Sequence, residues 1–168
     1  KGLDLVLEAF ARMPECQLTI VGPVRNEPEF ANVYRKELFH TPNIKCVGWL
    51  DKSSEEFRRV LEQSLAHVFP SCSEAGAAAV VETMSAGVIP VVTYEASIDV
   101  ENFGFLLEDA SIETIMRQVR EIAAMSVDEL RRKAKKAWEA AHNNHTQEKF
   151  ARSYRATIEM ILAKHGRR

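Results

Sequence analysis

The stretch from Ala66 to Thr93, AHVFPSCSEAGAAAVVETMSAGVIPVVT, limits what this chain can fold into more than any other. A short apolar run, Ala66 to Phe69, stops at Pro70-Ser71, and a polar turn follows that carries Glu74. An alanine-rich segment then runs from Ala75 to Ala86, and Ile89 to Val92 is a second β-branched run. The order is strand, loop, helix, strand. Gly87 can take the left-handed conformation that closes a helix, and Pro90 is tolerated at the start of a strand.

In an open parallel sheet, ligands bind where loops leave the carboxyl ends of strands and enter helices. Amides there lack partners and the helix dipole is positive, so an anion such as a diphosphate is favoured. The small residues Ala75, Gly76, Ala77 and Ala78 would let a ligand approach the backbone. Glu74 lies just before the helix and Glu82 two turns inside it, with seven residues between. A carboxylate does not bind phosphate; its use here is to accept hydrogen bonds from the hydroxyls of a ribose or a sugar. Acidic residues number 24 of 168, so the pair alone is an ordinary occurrence, and the flanking strand, Pro-Ser turn, glycine and second strand are what give it meaning.

The remaining chain supports one doubly wound α/β domain. Residues 2 to 12 carry Leu3, Val6, Leu7 and Phe10 at helical spacing until Pro14. Gln17 to Val21 is a strand ending at Gly22-Pro23, Glu29 to His40 a helix, and Asn43 to Val47 a strand closed by Gly48-Trp49-Leu50. Ser53 or Ser54 caps a helix with Phe57, Val60 and Leu61. After the loop 94–103, an extended run 104–107 precedes helices from Ser111 to Met125, from the capping box Ser126–Glu129 to Asn144, and over about 146–168. Strands alternating with helices in this way form a parallel sheet covered on both faces.

Net charge is −2, which gives no electrostatic case for nucleic acid. The basic run Arg131-Arg132-Lys133 with Lys135-Lys136 reads as a solvated helix face, a membrane-surface or partner-docking face being the other reading. Cys16, Cys46 and Cys72 are odd in number and scattered, which suits a reducing cytoplasm. No apolar run reaches the ~20 residues that span a bilayer, and the N-terminus does not read as a signal peptide. His67 reads as a satisfied strand histidine, and His142 with His145 sits near a helix end, so no metal is expected. Neither G-x-S-x-G nor a Walker-type G-K-[ST] occurs, against a hydrolase elbow and a P-loop NTPase. The abrupt start at Lys1-Gly2, without an initiating Met, reads as part of something longer.

The pattern P-S-x-x-E-x7-E-x-x-S-x-G, followed by P-V-V, resembles the sugar-nucleotide signature of retaining glycosyltransferases of the GT-B fold, family 4 in particular. The common central form is E-G-F-G. Here Ala75 and Ala77 stand in the glycine places and Gly76 in the aromatic one. The resemblance implies a Rossmann-like C-terminal half of a two-domain enzyme that moves a hexose from a nucleotide diphosphate sugar to a hydroxyl acceptor in glycan, polysaccharide or glycolipid synthesis. In its terms Glu74 holds the transferred sugar and Glu82 the ribose. Lys1-Gly2 ahead of a helix with Leu and Ala-Phe is similar to the family's lysine–glycine segment, so Lys1 would neutralise the diphosphate together with the helix start at Ala77, Ala78, Ala79 and Val80. An ordinary N-terminal lysine is the other reading.

Gly22 would face the donor, or simply turn the chain. Trp49 and Leu50 match the loop whose backbone reads the base, although a core or surface role suits the Trp side chain as well. Ser97, Ile98 and Asp99 lie in the loop that faces the donor in the family. The implied partners are the nucleotide-sugar donor and an N-terminal acceptor domain towards which the last helix returns. Contact with a membrane would be peripheral, at the inner face, and Phe150, Tyr154, Ile158 and Ile161 leave dimerisation as an option. The isolated chain is expected to bind nucleotide weakly and to transfer nothing. Two other classes remain at this point. One is a non-catalytic nucleotide-sensing module of receiver or flavodoxin type, although L-T-I-V-G-P lacks the acidic cluster or Ser/Thr-rich loop these need. The other is a GT-B sugar-nucleotide epimerase.

Overall fold

The computed structural model describes residues 1–100 and 102–165. Helix α1 (Leu3–Ala11) buries Val6, Leu7, Ala9 and Phe10, the face set by their spacing. Strand β1 (Leu18–Val21) pairs in parallel with β2 (Ile44–Gly48), Leu18 opposite Ile44 and Ile20 opposite Cys46. Between them lie two short helices, α2 (Pro28–Val33) and α3 (Arg35–His40). The single helix expected from Glu29 to His40 is therefore broken at Tyr34 (φ −98°, ψ 26°). The Tyr34 ring still packs on Phe30 one turn back, centroids 4.8 Å apart, and its hydroxyl donates to Glu8 of α1 at 3.4 Å, the tertiary contact that goes with the break.

Helix α4 (Glu55–Glu62) starts at Ser54, whose hydroxyl accepts from the Phe57 amide. A second ladder follows: β3 (Ala66–Phe69), β4 (Ile89–Thr93) and β5 (Phe105–Leu107), all parallel in that order. Helix α5 (Ala78–Met84) joins β3 to β4. Helix α6 (Ile112–Ala123) is capped by Ser111, whose hydroxyl accepts from the Thr114 amide, and α7 (Val127–Asn144) by Ser126, whose hydroxyl accepts from the Glu129 amide as its capping-box pattern predicts. Helix α8 (Gln147–His165) buries no residue; the last three positions of the helix expected over 146–168, and Glu101 of the expected loop 94–103, lie outside the described residues.

The strands form two parallel ladders instead of one continuous sheet. No ladder joins β1 to β3 among the described residues, and a common core holds the two together. Ile20 and Ile44 from the first ladder and Val91 and Leu107 from the second are buried with Leu7 and Phe10 of α1 and Ile115 and Ile122 of α6. On the opposite face Val80 and Met84 of α5 and Ala137 and Ala141 of α7 pack on Val92. Strand β4 thus sends Val91 to one core and Val92 to the other, the period-two alternation of a strand covered on both faces. Full burial of each such side chain contributes about 1.5–3 kcal/mol.

Two polar or small residues fix the layers. The buried Asn43 amide nitrogen donates to the carbonyls of Phe10, Met13 and Cys16 at 2.9, 3.0 and 2.8 Å, tying the end of α1 to the start of β2. Gly104 brings β5 onto β4 so closely that a Cβ would lie 2.7 Å from the Pro90 carbonyl oxygen. Cys16 and Cys46 are half-buried against the first core and Cys72 is exposed. The basic residues of α7 are solvated in the main, with Lys133 held 4.4 Å over the Phe105 ring. Among the described residues no helix is long and apolar enough to cross a membrane.

Candidate functional site

Where β3 ends, Pro70 and Ser71 are buried, and the Thr93 hydroxyl of β4 donates to the Ser71 carbonyl. The turn that follows is thereby anchored to two adjacent strands. It presents Glu74, whose carboxylate is 2.8 Å from Lys1 Nζ and 3.4 Å from the Ser71 hydroxyl. The hydrogen bond from Lys1 is the main cause that holds the Glu74 carboxyl below its usual range, against the opposing effect of desolvation. Lys1 is delivered there by Gly2, which adopts φ +75° with no room for a Cβ: the Pro70 oxygen would be 2.4 Å away. Only a glycine takes that backbone and that approach without strain.

The alanine-rich segment starts its helix later than its composition suggests. Ala75 to Ala77 are not helical, and α5 begins at Ala78. The loop after β4 holds them out: the Ala77 amide donates to Ala96 O at 3.2 Å, and Ser97, at φ +55°, points its hydroxyl at the Glu74 carbonyl, 3.4 Å away. Gly76 has open space where a side chain would stand. The expectation of free amides along Ala77 to Val80 is corrected in part. Ala77 donates to Ala96, Ala78 to Gly76 and Val80 to Ala77, which satisfies donors a helix start would otherwise leave open. Ala77 and Val80 turn their side chains into the core, whereas Ala78 and Ala79 are exposed.

Glu82, further along α5, is paired with Lys52 at 2.8 Å. Lys52 stands in a turn fixed by Asp51, whose carboxylate accepts from both the amide and the hydroxyl of Ser53 at 2.8 and 2.6 Å. Those bonds hold the Asp51 carboxyl below its ordinary range. The Glu82–Lys52 pair borders a cleft of about 470 Å³ between Ser53–Arg58 and Glu82–Ala86. Glu74 and Lys1 do not line it. Behind Glu82, His67 Nδ1 meets the Thr83 hydroxyl at 2.9 Å, and burial pushes the imidazole down to about 4. His142 bonds the Trp138 carbonyl at 2.9 Å within α7.

At the ends of β1 and β2 the Gly22 amide donates to Gly48 O at 2.8 Å, and neither glycine has an atom within 4 Å of where a Cβ would be. Trp49 is 69% exposed, while Leu50 is buried at 9% and anchors the turn before Lys52. The structure therefore brings Lys1 to Glu74, Gly22 to Gly48, and the Ser97 loop to the Gly76–Ala77 turn. It does not place Glu74 and Glu82 in one enclosed pocket. Lys52 was invisible to motif reading; its one sequence cue is a lysine in a Ser/Asp-rich turn just after the strand-end glycine. Among the described residues no group of three His, Cys, Asp or Glu side chains gathers as metal ligands would.

No curated protein matches the chain closely enough to count as a relative. Solved structures do share its fold. A glycosyltransferase from Rickettsia africae is 17% identical with a TM-score of 0.77, over 96% of this chain and 45% of its own. HepE from Anabaena, solved in complex with UDP and glucose, is 14% identical with a TM-score of 0.72, over 95% and 45%. WaaG, a glycosyltransferase involved in lipopolysaccharide biosynthesis, is 21% identical with a TM-score of 0.60, over 85% and 40%. The chain thus spans less than half the length of each. Residues 1–140 match the family described as glycosyl transferases group 1. With parallel strands covered by helices on both faces and that match over most of its length, the chain belongs to the glycosyl transferases group 1 family, and its fold is the Rossmann-like C-terminal half of a GT-B architecture.

Proposed function

We propose that this chain binds the nucleoside diphosphate sugar donor of a retaining glycosyltransferase, which passes a hexose to a hydroxyl acceptor. The observation that carries the reading is the pair of carboxylates beyond β3, each ion-paired to a lysine at 2.8 Å: Glu74 with Lys1, and Glu82 with Lys52. Glu74 accepts from hydroxyls of the transferred sugar, and Glu82 from the ribose. Lys1, 72% exposed and set beside Glu74 by the tightly packed Gly2, meets the charge that develops on the diphosphate as the sugar–phosphate bond breaks, a cation already in place. The open backbone at Gly22 and Gly48, followed by Trp49 and Leu50, receives the base. No metal enters this scheme.

The acceptor binds to a second domain across the cleft, so the 168-residue chain alone binds nucleotide weakly and transfers nothing. The apolar side of α8, where Phe150 and Tyr154 are 69% and 61% exposed, faces that domain or a second copy. We place the enzyme in the cytoplasm, with peripheral contact at the inner face of a membrane. HepE was solved with UDP and glucose, which makes UDP the first nucleotide to try. Calorimetric titration with UDP, GDP and ADP tests the reading. Selective binding of one, weakened by about 1–3 kcal/mol in Glu82→Ala through loss of a hydrogen bond to a charged group, is the expected result. Refusal of all three by the whole protein would sink it.

A further inference from the structure

The donor-site reading leaves an electrostatic problem that Lys52 answers. A nucleoside diphosphate is an anion, and the two residues proposed to take its hydroxyls are carboxylates. Glu82 is the more exposed of the two, with 28% of its side chain accessible against 14% for Glu74. Left uncompensated, it would repel the phosphates it sits beside. Lys1 neutralises Glu74; nothing in the family signature does the same for Glu82.

We infer that Lys52 is a positioning residue of the nucleotide site, one that holds the Glu82 carboxylate for ribose and offsets its charge so that a nucleoside diphosphate can bind. This rests on the donor-site reading above. Three observations carry it. Lys52 Nζ is 2.8 Å from Glu82 Oε2, so the carboxylate keeps Oε1 and a further lone pair on Oε2 for hydroxyls. The turn bearing Lys52 is preorganised: the Asp51 carboxylate accepts from Ser53 twice, Ser54 N donates to Asp51 O at 2.9 Å, and Ser54 caps α4. On its other side the buried Leu50 pins the segment proposed to receive the base. Lys52 therefore stands between the base-reading backbone and the ribose carboxylate, on the rim of the cleft that Glu82 lines.

The test compares the wild-type protein with Lys52→Met and Lys52→Arg. The ligands are whichever of UDP, GDP and ADP binds, and the matching uncharged nucleoside, at low and at about 0.5 M salt. Lys52→Met should weaken the diphosphate by about fivefold, the upper end for a half-exposed charge pair. The nucleoside should change less, by about twofold, because it carries no phosphate to be repelled by the bared Glu82 charge. High salt should shrink the difference, and Lys52→Arg should restore binding. A merely structural lysine would shift both ligands alike and leave no salt dependence. Unchanged diphosphate affinity in Lys52→Met, or equal losses for diphosphate and nucleoside, overturns the inference while the donor site stands. Absence of any nucleotide binding by the wild type overturns both, and so separates the two failures.

Discussion

Acid should destabilise this domain through one histidine before it touches the carboxylates. His67 lies on β3 with Nδ1 2.9 Å from the Thr83 hydroxyl, and that hydroxyl already donates to Val80 O at 2.9 Å. Thr83 can only accept, so Nδ1 carries the proton and the neutral ring is satisfied. Burial is the cause that lowers the imidazole from 6.5 to about 4. A histidine depressed in the folded state binds its proton better in the unfolded chain, so its contribution is complete above the unfolded value and lost as pH falls. The window runs from about 6.5 down to about 4. Because the ring is half-buried and not sealed from water, 1.36 kcal/mol per pH unit sets an upper limit of about 3 kcal/mol on the full loss, and of about 2.5 kcal/mol on the part expressed by pH 4.5. The Glu74 contact with Lys1 follows at lower pH: its depressed carboxyl stabilises the fold above the ordinary carboxylate range and is lost as pH falls through the lowered value. Urea unfolding at pH 7.5 and 4.5 measures the difference. His67→Asn sets an amide N–H where Nδ1–H stands, keeping a donor for Thr83 without a titrating group, so it should flatten the slope across that window whatever it costs at pH 7.5. An equal acid loss in wild type and variant, or an NMR titration midpoint for His67 near 6.5, would refute the argument.

Two packing predictions are independent of pH. Asn43→Ala removes the shared donor of three backbone carbonyls at the end of α1 and should cost about 3 kcal/mol in urea unfolding. Asn43→Asp should be no better, since an ionised carboxylate cannot donate. Gly104→Ala drives a Cβ to 2.7 Å from the Pro90 carbonyl oxygen, and thermal unfolding should show a loss of about 1–3 kcal/mol as β4 and β5 are forced apart.

Local rules carried most of the fold because few of its elements depend on distant partners for their type. The apolar spacing of α1, the short apolar run of β3, the β-branched run of β4, and the serine caps at Ser54, Ser111 and Ser126 all act within one turn or one strand. The failures are where tertiary contacts override propensity. Ala75 to Ala77 have the composition of a helix, yet the Ala96 carbonyl takes the Ala77 amide and the helix starts late. Tyr34 sits in a helical pattern but is drawn towards Glu8. The Lys1–Glu74 and Lys52–Glu82 pairs join residues on different elements, and spacing along the chain holds no record of such contacts. The carboxylate positions were legible; the cations that hold them became visible only once the chain was folded.

The most direct test of the division of labour at this site is a paired titration of the whole protein, with the nucleoside diphosphate and with the same nucleotide carrying its sugar. Glu82→Ala should weaken both ligands by about the same 1–3 kcal/mol, because the ribose is common to them. Glu74→Ala should weaken the sugar-bearing ligand and leave the bare diphosphate bound at least as well as in the wild type, because Lys1 loses its carboxylate partner and is free for the phosphates. Loss of both ligands alike in Glu74→Ala, or indifference of both to Glu82→Ala, would contradict the assignment of sugar to one carboxylate and ribose to the other.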